Sequence, residues 1–308
     1  MTKNYNVQEM IQKNTDNKGG AFEKSIPVIL FIITLVSILA TIAILYTLIS
    51  QSVEFFSRES IVDFFTSATW MPYSSDPEYG IWALAMGTFK IVFVATIFAV
   101  PLGLGAAIYL SEYATDRVKK IIKPILEVLA GIPTVVYGFF AINFITPILQ
   151  SIYSGFSLYN ATSAGIVVGI MILPMIASLS EDAMSSVPNS TREGSLGLGA
   201  TRLETTFKVV LPAAVSGIVA SVVLAVSRAI GETMIVSIAA GSTPNASLDL
   251  TDPLQTMTGF IVQITSGDAA YGSTLYFSLF AVGMTLFLFT FAMNILSQWI
   301  TKRFREEY

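Results

Sequence analysis

Long apolar runs alternate with short polar ones along this chain. From Pro27 to Ser50 no residue carries a charge. Further apolar stretches follow near 83–110, 124–149, 162–183, 211–240 and 274–299. A helix needs roughly 20 such residues to cross the ~30 Å hydrocarbon core of a bilayer. The pattern therefore predicts an all-α membrane protein with six transmembrane helices. Membrane strands are shorter and alternate in polarity, which these runs do not. The first run is too long for the apolar core of a cleaved signal peptide, and no small-x-small cleavage site follows it, so it reads as a retained span. The expected organisation is a polar tail, 1–26, and one transmembrane domain, 27–308, with no repeat and no low-complexity tract. The loop 51–82 contains a short amphipathic segment around Ser57–Phe65. The loop 241–273 is rich in Ser, Thr, Gly, Asp and Asn.

Lysine and arginine set the expected orientation. The tail has Lys3, Lys13, Lys18 and Lys24, and the loop 111–123 has Arg117, Lys119, Lys120 and Lys123. Arg192, Arg202 and Lys208 lie in the loop 184–210, and Lys302, Arg303 and Arg305 follow the last span. The three opposite loops contain only Arg58. Both termini and the loop 184–210 are thus expected on the cytoplasmic side of a cell membrane. Lys90 and Arg228 fall inside spans.

Composition narrows the chemistry. Charged residues make up 12% of the 308-residue chain, against about 25% in soluble domains. There is no cysteine and no histidine, which removes thiolate chemistry, the commonest general base and the commonest metal ligand. No catalytic constellation, metal site or cofactor is predicted, and no basic tract or motif points to nucleic acid. The glycine clusters PLGLGAA and SLGLGAT lack the lysine of a nucleotide-binding P-loop, so any ATP-derived energy is expected from a separate subunit.

The loop 184–210 carries the most specific pattern. Ser190-x-x-Glu193 and Thr201-x-x-Glu204 both read as capping boxes, and Gly197 and Gly199 between them permit a sharp turn. A short helix, a turn and a second helix running to Pro212 are expected. The spacing runs Glu193-Gly194-Ser195, three residues, Gly199, nine residues, Val209, one residue, Leu211-Pro212. It resembles the signature of the inner-membrane subunits of binding-protein-dependent ABC importers, with Gly194 and Ser195 in place of two alanines and Val209 in place of isoleucine. The resemblance implies the MetI-like permease fold and a coupling helix that docks in a groove of an ATPase subunit.

Three further stretches, AIYLSEYA (107–114), KPILEVLAGIPTVVYGFF (123–140) and SRAIGETM (227–234), are similar to the phosphate-import permeases, in particular the PstC type. The PstA-type sister tends to differ where Ser111 stands. The resemblance spans about 80–300. It implies a non-catalytic subunit that pairs with a PstA-like sister permease. Two copies of a PstB-like ATPase and an extracytoplasmic phosphate-binding protein complete the implied assembly, which moves inorganic phosphate across the bilayer by alternating access. Permeases for sulfate or molybdate, and a secondary transporter, remain alternative readings.

Arg228 is well inside the fifth run, and a charge there is expected to face a partner or a watery cavity. Glu232 follows at i+4, on the same face of a continuous helix. Two readings stand: the pair neutralises itself, or it meets the anion. A guanidinium fork suits phosphate oxygens, and a carboxylate can accept a P–OH hydrogen that sulfate lacks. Lys90 either snorkels to headgroups or pairs structurally, or it draws anions toward the outer mouth. Ala213, Gly217, Ser221, Ala225 and Ala229 form a small-residue row suited to close helix packing, and Gly165-x-x-x-Gly169 is a second contact candidate. Glu127, Glu181 and Asp182 read as interfacial. Pro101, Pro133, Pro147 and Pro174 lie within spans, with Gly131-Ile132-Pro133-Thr134 the foremost candidate for a helix break.

Overall fold

The computed structural model describes residues 20–303. Most of the tail 1–26, with Lys3, Lys13 and Lys18, and the residue Arg305 lie outside the described residues. The chain divides into two compact units, Met1–Gln51 and Ser52–Tyr308. In the first, Thr34, Thr41 and Thr47 each return a hydroxyl to the carbonyl four residues earlier, at 2.8, 3.0 and 2.9 Å. A hydroxyl with no water to bond is satisfied within its own helix in this way.

Among the described residues, six helices are long and apolar enough to cross a membrane: Ser25–Arg58, Trp82–Tyr113, Thr134–Ile152, Ala161–Ser185, Arg202–Ile230 and Thr274–Trp299. They are called the first to sixth spans. Three of them depart from the expected limits, the first by running on past Ser50 to Arg58, a residue expected in the loop that follows. The third does not begin near 124. A separate helix, Asp116–Gly131, ends at the expected break, and the span restarts at Thr134. Proline at 133 has no N–H to donate and holds Ile132 extended, at φ −66° and ψ 129°. The helix before it carries Arg117, Lys120, Lys123 and Glu127 among apolar residues and buries none of its side chains. The fifth span begins earlier than 211 and stops at Ile230. The chain then turns through Gly231–Thr233 into a short helix, Met234–Ala239.

Small residues set the packing at the centre of the second unit. A Cβ on Gly165 would stand 2.6 Å from Val94 Cβ, and one on Gly169 would stand 3.0 Å from the Ala95 carbonyl oxygen. The fourth span therefore meets the second through the Gly165–Gly169 pair. The small-residue row of the fifth span meets the fourth. A Cβ on Gly217 would be 2.5 Å from Ala183 Cβ, Ser221 Oγ lies 2.7 Å from Ser180 Oγ, and Ala225 and Ala229 are buried. A main core of alanine, valine and isoleucine from these three spans fills the interior.

The segment 241–273 is not a solvated loop throughout. Leu254, Gln255, Thr256 and Met257 are buried, and the Gln255 carbonyl oxygen would stand 2.2 Å from a Cβ on Gly87. Thr88 Oγ1 accepts the Met257 N–H at 3.1 Å. A helix, Met257–Gln263, follows, capped by the Thr256 hydroxyl. Irregular backbone is tolerated here because protein groups satisfy it. Beside it, Phe55, Phe64, Trp70, Tyr79 and Phe260 pack edge to face. The chain after the first span forms a capped helix, Ile61–Thr66, and a two-stranded ribbon pairing Trp70 with Tyr79.

Gly87→Ala places a methyl group against that carbonyl and is expected to cost about 1–3 kcal/mol. Thermal melting of the purified protein in detergent will show this as a lowered midpoint. Gly105→Ala, whose added Cβ meets nothing within 4 Å, is expected to melt with the parent.

Candidate functional site

The loop 184–210 folds as a helix, a turn and a helix. The first helix, Asn189–Gly197, starts after Pro188 with no side-chain cap. Ser190 therefore sits inside the first turn, and the capping box expected at Ser190 and Glu193 is not formed. Proline pre-sets φ at the helix start and takes the position a cap would occupy. The second box is present: Thr201 Oγ1 accepts the Glu204 N–H at 3.2 Å, and Glu204 Oε2 accepts the Thr201 N–H at 3.0 Å. Between the helices Gly199 has φ +89°. Its N–H bonds the Leu196 carbonyl at 3.0 Å, and the Ala200 N–H bonds that of Ser195 at 3.2 Å. This is a Schellman C-cap, which calls for a left-handed residue. The π-helical turn Thr206–Val210 then leads into Leu211 and Pro212. It widens the backbone where the proline ring would collide with the preceding turn.

Glu193 and Gly194 are exposed, while Ser195 Oγ lies 3.0 Å from Thr205 Oγ1 and ties the two helices together. Leu211 packs, half-buried, on a small core from the ends of the second, fourth and fifth spans. The strongest anchor was not legible in the spacing. Arg192 donates to Glu112 at 3.0 Å, to the Met184 carbonyl at 2.7 Å and to the Val187 carbonyl. Ser111 donates to the same carboxylate at 2.8 Å. Glu112 sits in a π-helical turn, Tyr109–Tyr113, that ends the second span. One guanidinium thus clamps the loop helix to the ends of two spans.

The intramembrane charges separate. Glu232 is not on one helix with Arg228, because that helix ends at Ile230. Its carboxylate accepts the N–H groups of Met234 and Ile235 at 3.0 and 3.1 Å, capping the short helix Met234–Ala239. Its own carbonyl accepts the Thr258 hydroxyl at 2.7 Å. Glu232 is 9% exposed, and no ion pair joins it to Arg228 among the described residues. Lys90 does not snorkel outward. It is 5% exposed and donates to the Asp249 carbonyl at 3.2 Å. Asp249 in turn accepts the Thr251 N–H and hydroxyl, which hold its carboxyl below the usual carboxylate range.

Arg228 is exposed and opens into a cavity of about 440 Å³ between the helix Asp116–Gly131, the fourth span and the fifth. Lys123, Glu127, Ser178 and Glu181 line the same cavity. Lys123 Nζ meets Glu181 Oε2 at 2.6 Å. The Glu181 carboxylate at that distance raises the Lys123 ammonium above its ordinary range.

A family model described as the binding-protein-dependent transport system inner membrane component matches residues 99–306. The chain belongs to this family. It is the permease component of an ABC importer and a multi-pass membrane protein. The permease is 35% identical over 274 residues, covering 87% of each chain, to a probable ABC transporter permease protein YqgH of Bacillus subtilis. It is 33% identical to the phosphate transport system permease protein PstC of Mesorhizobium japonicum, with 78% of each chain covered. A probable PstC of Methanocaldococcus jannaschii is 31% identical, with 80% of this chain and 83% of that one covered. Among solved structures, a bacterial alginate ABC transporter aligns with TM-score 0.64 at 14% identity, covering 94% of this chain and 98% of that chain. A methionine ABC transporter, MetNI, aligns with TM-score 0.56 at 19% identity, over 73% of this chain and 94% of that chain. The permease therefore has the MetI-like importer fold.

Glu112→Gln removes the charge that Arg192 faces. Breaking one side of a buried pair is expected to destabilise the permease by about 3 kcal/mol, read as a lowered melting midpoint. Lys208→Gln removes only an exposed pair with Glu204 and is expected to change it little.

Proposed function

We propose that this permease carries inorganic phosphate into the cell. It does so together with a PstA-like sister permease, two copies of a PstB-like ATPase and an extracytoplasmic phosphate-binding protein. The observation that carries the substrate class is Arg228, an exposed guanidinium with no carboxylate partner among the described residues, facing a cavity built by three helices. A planar fork of donors there suits a tetrahedral oxyanion. Relatives named as phosphate permeases over about four-fifths of the chain narrow that class.

In this proposal Arg228 touches the anion. Glu232 shapes the path by holding the break after the fifth span, and its buried carboxylate takes a P–OH hydrogen only if the short helix gives up its cap. Lys90 fixes the start of the segment 249–258 rather than lining the path. The basic end of the spans faces the cytoplasm, as the lysine and arginine distribution favours. Glu193, Gly194, Ser195 and Gly199 offer the ATPase a rigid surface, and Leu211 and Pro212 pass its motion to the fifth span. Closure of an ATP-bound motor would push this surface, and the Arg192–Glu112 clamp would carry the push to the second and fourth spans.

Labelled phosphate uptake tests the substrate in cells lacking other phosphate importers and expressing the complete transporter. Arg228→Ala is expected to lower uptake about tenfold or more, the worth of one charge-assisted hydrogen bond, at equal amounts of assembled transporter. Uptake equal to the parent would remove Arg228 from the path, and parental uptake of sulfate instead of phosphate would replace the substrate. Gly199→Val forces a β-branched residue into the left-handed region, at about 1–2 kcal/mol. The variant is expected to reach the membrane normally yet retain less ATPase subunit on co-purification and import less phosphate.

A further inference from the structure

The cavity beside Arg228 holds a second polar pair whose position no packing need explains. Lys123 and Glu181 come from different helices and meet at 2.6 Å. The Glu181 side chain is 4% exposed, and its other oxygen accepts the Ser185 hydroxyl at 3.1 Å. The Lys123 side chain is 43% exposed and opens onto the cavity. The helix that presents Lys123, Asp116–Gly131, buries no side chain of its own. It joins the third span through the break at Ile132–Pro133, where Tyr137 Oη donates to the Leu129 carbonyl at 2.8 Å. The break therefore lies at one end of this helix, and the ion pair ties its middle to the fourth span.

The charges of the cavity explain what such a pair can do. Arg228 and Lys123 are balanced by Glu127 and Glu181, so the empty cavity is neutral. A divalent oxyanion needs more than one cation once it has left water. Arg228 supplies one, and Lys123 becomes the second when it turns from Glu181 to the anion. Glu181 then accepts a P–OH hydrogen in place of the ammonium, so neither carboxylate oxygen is left without a donor.

Resting on the phosphate reading above, we propose that Lys123 and Glu181 form a second anion station in the cavity shared with Arg228. The anion takes Lys123 from Glu181 and so loosens the helix Asp116–Gly131 from the fourth span. The specific ligand is a protonated tetrahedral oxyanion, and the exchange of partners is the event that admits it.

The test uses the complete transporter in vesicles supplied with its binding protein, labelled phosphate and ATP. The readout is phosphate moved per ATP hydrolysed. In K123M/E181M two apolar side chains replace the pair, a change that a merely structural ion pair tolerates. The double variant is expected to assemble and hydrolyse ATP but to move about tenfold less phosphate per ATP, the factor of one charge-assisted hydrogen bond. An unchanged ratio overturns the station. If the double variant does not assemble, Lys123→Gln decides, because its amide N–H groups still donate to Glu181 while the second cation is gone. A lowered ratio supports the station, and the parental ratio overturns it. Parental transporter that moves no phosphate at all overturns the phosphate reading and the station together. Parental transport with indifferent variants overturns the station alone.

Discussion

A backbone that leaves the helical path inside a membrane protein has no water to turn to, so every break must be completed by protein groups. The architecture follows from how this chain meets that demand. At Ile132–Pro133 the phenol of Tyr137 takes the freed Leu129 carbonyl. At Gly231–Thr233 the Glu232 carboxylate takes two N–H groups, and Thr258 takes its carbonyl. Along 249–258, Lys90 and Thr88 supply a donor and an acceptor to the irregular backbone. Charged and polar side chains that look costly in an apolar chain are thus spent chiefly on completing breaks. The breaks in turn free the walls of the Arg228 cavity from the geometry of straight helices.

Whether a feature was legible in the sequence depended on whether its signal was local. Long uncharged runs announced six spans because bilayer thickness fixes their length. The small-residue row 213–229 and Gly165-x-x-x-Gly169 announced contacts because only residues without bulk allow a Cβ-free approach. Pro133 announced its own break. Gly199 announced the turn, and Thr201 with Glu204 announced the cap that follows. Glu232 misled because i+4 spacing means a shared face only while the helix continues, and Gly231 ends it. Ser190 misled because Pro188 had already set where the helix starts. Arg192–Glu112 and Lys123–Glu181 left no trace in the spacing. Their partners stand 80 and 58 positions apart, and only the packing of spans brings them together.

The two long-range ion pairs differ in a way that divides their labour. Arg192 is saturated by a carboxylate and two carbonyls, and both side chains of that pair are largely covered. Nothing is left over for a ligand, and separating the partners would strand a buried charge. Such a contact transmits force without yielding. Lys123 has one strong partner and an open side. Its ammonium can take another anion as partner provided that the buried Glu181 carboxylate gains a donor in exchange.

An importer driven from below needs both kinds of contact. In the proposed coupling, the surface that receives the motor's motion must be stiff, or the motion is lost in the loop. A Schellman turn, a capping box and the Arg192 clamp make it so within a few residues. The wall that meets the cargo must be able to move, or the path never opens. The helix Asp116–Gly131, none of whose side chains is fully buried, ends at a proline break and meets the fourth span through the Lys123–Glu181 pair. Among the described residues, Lys123 and the Leu129 carbonyl join it through side chains to the fourth and third spans.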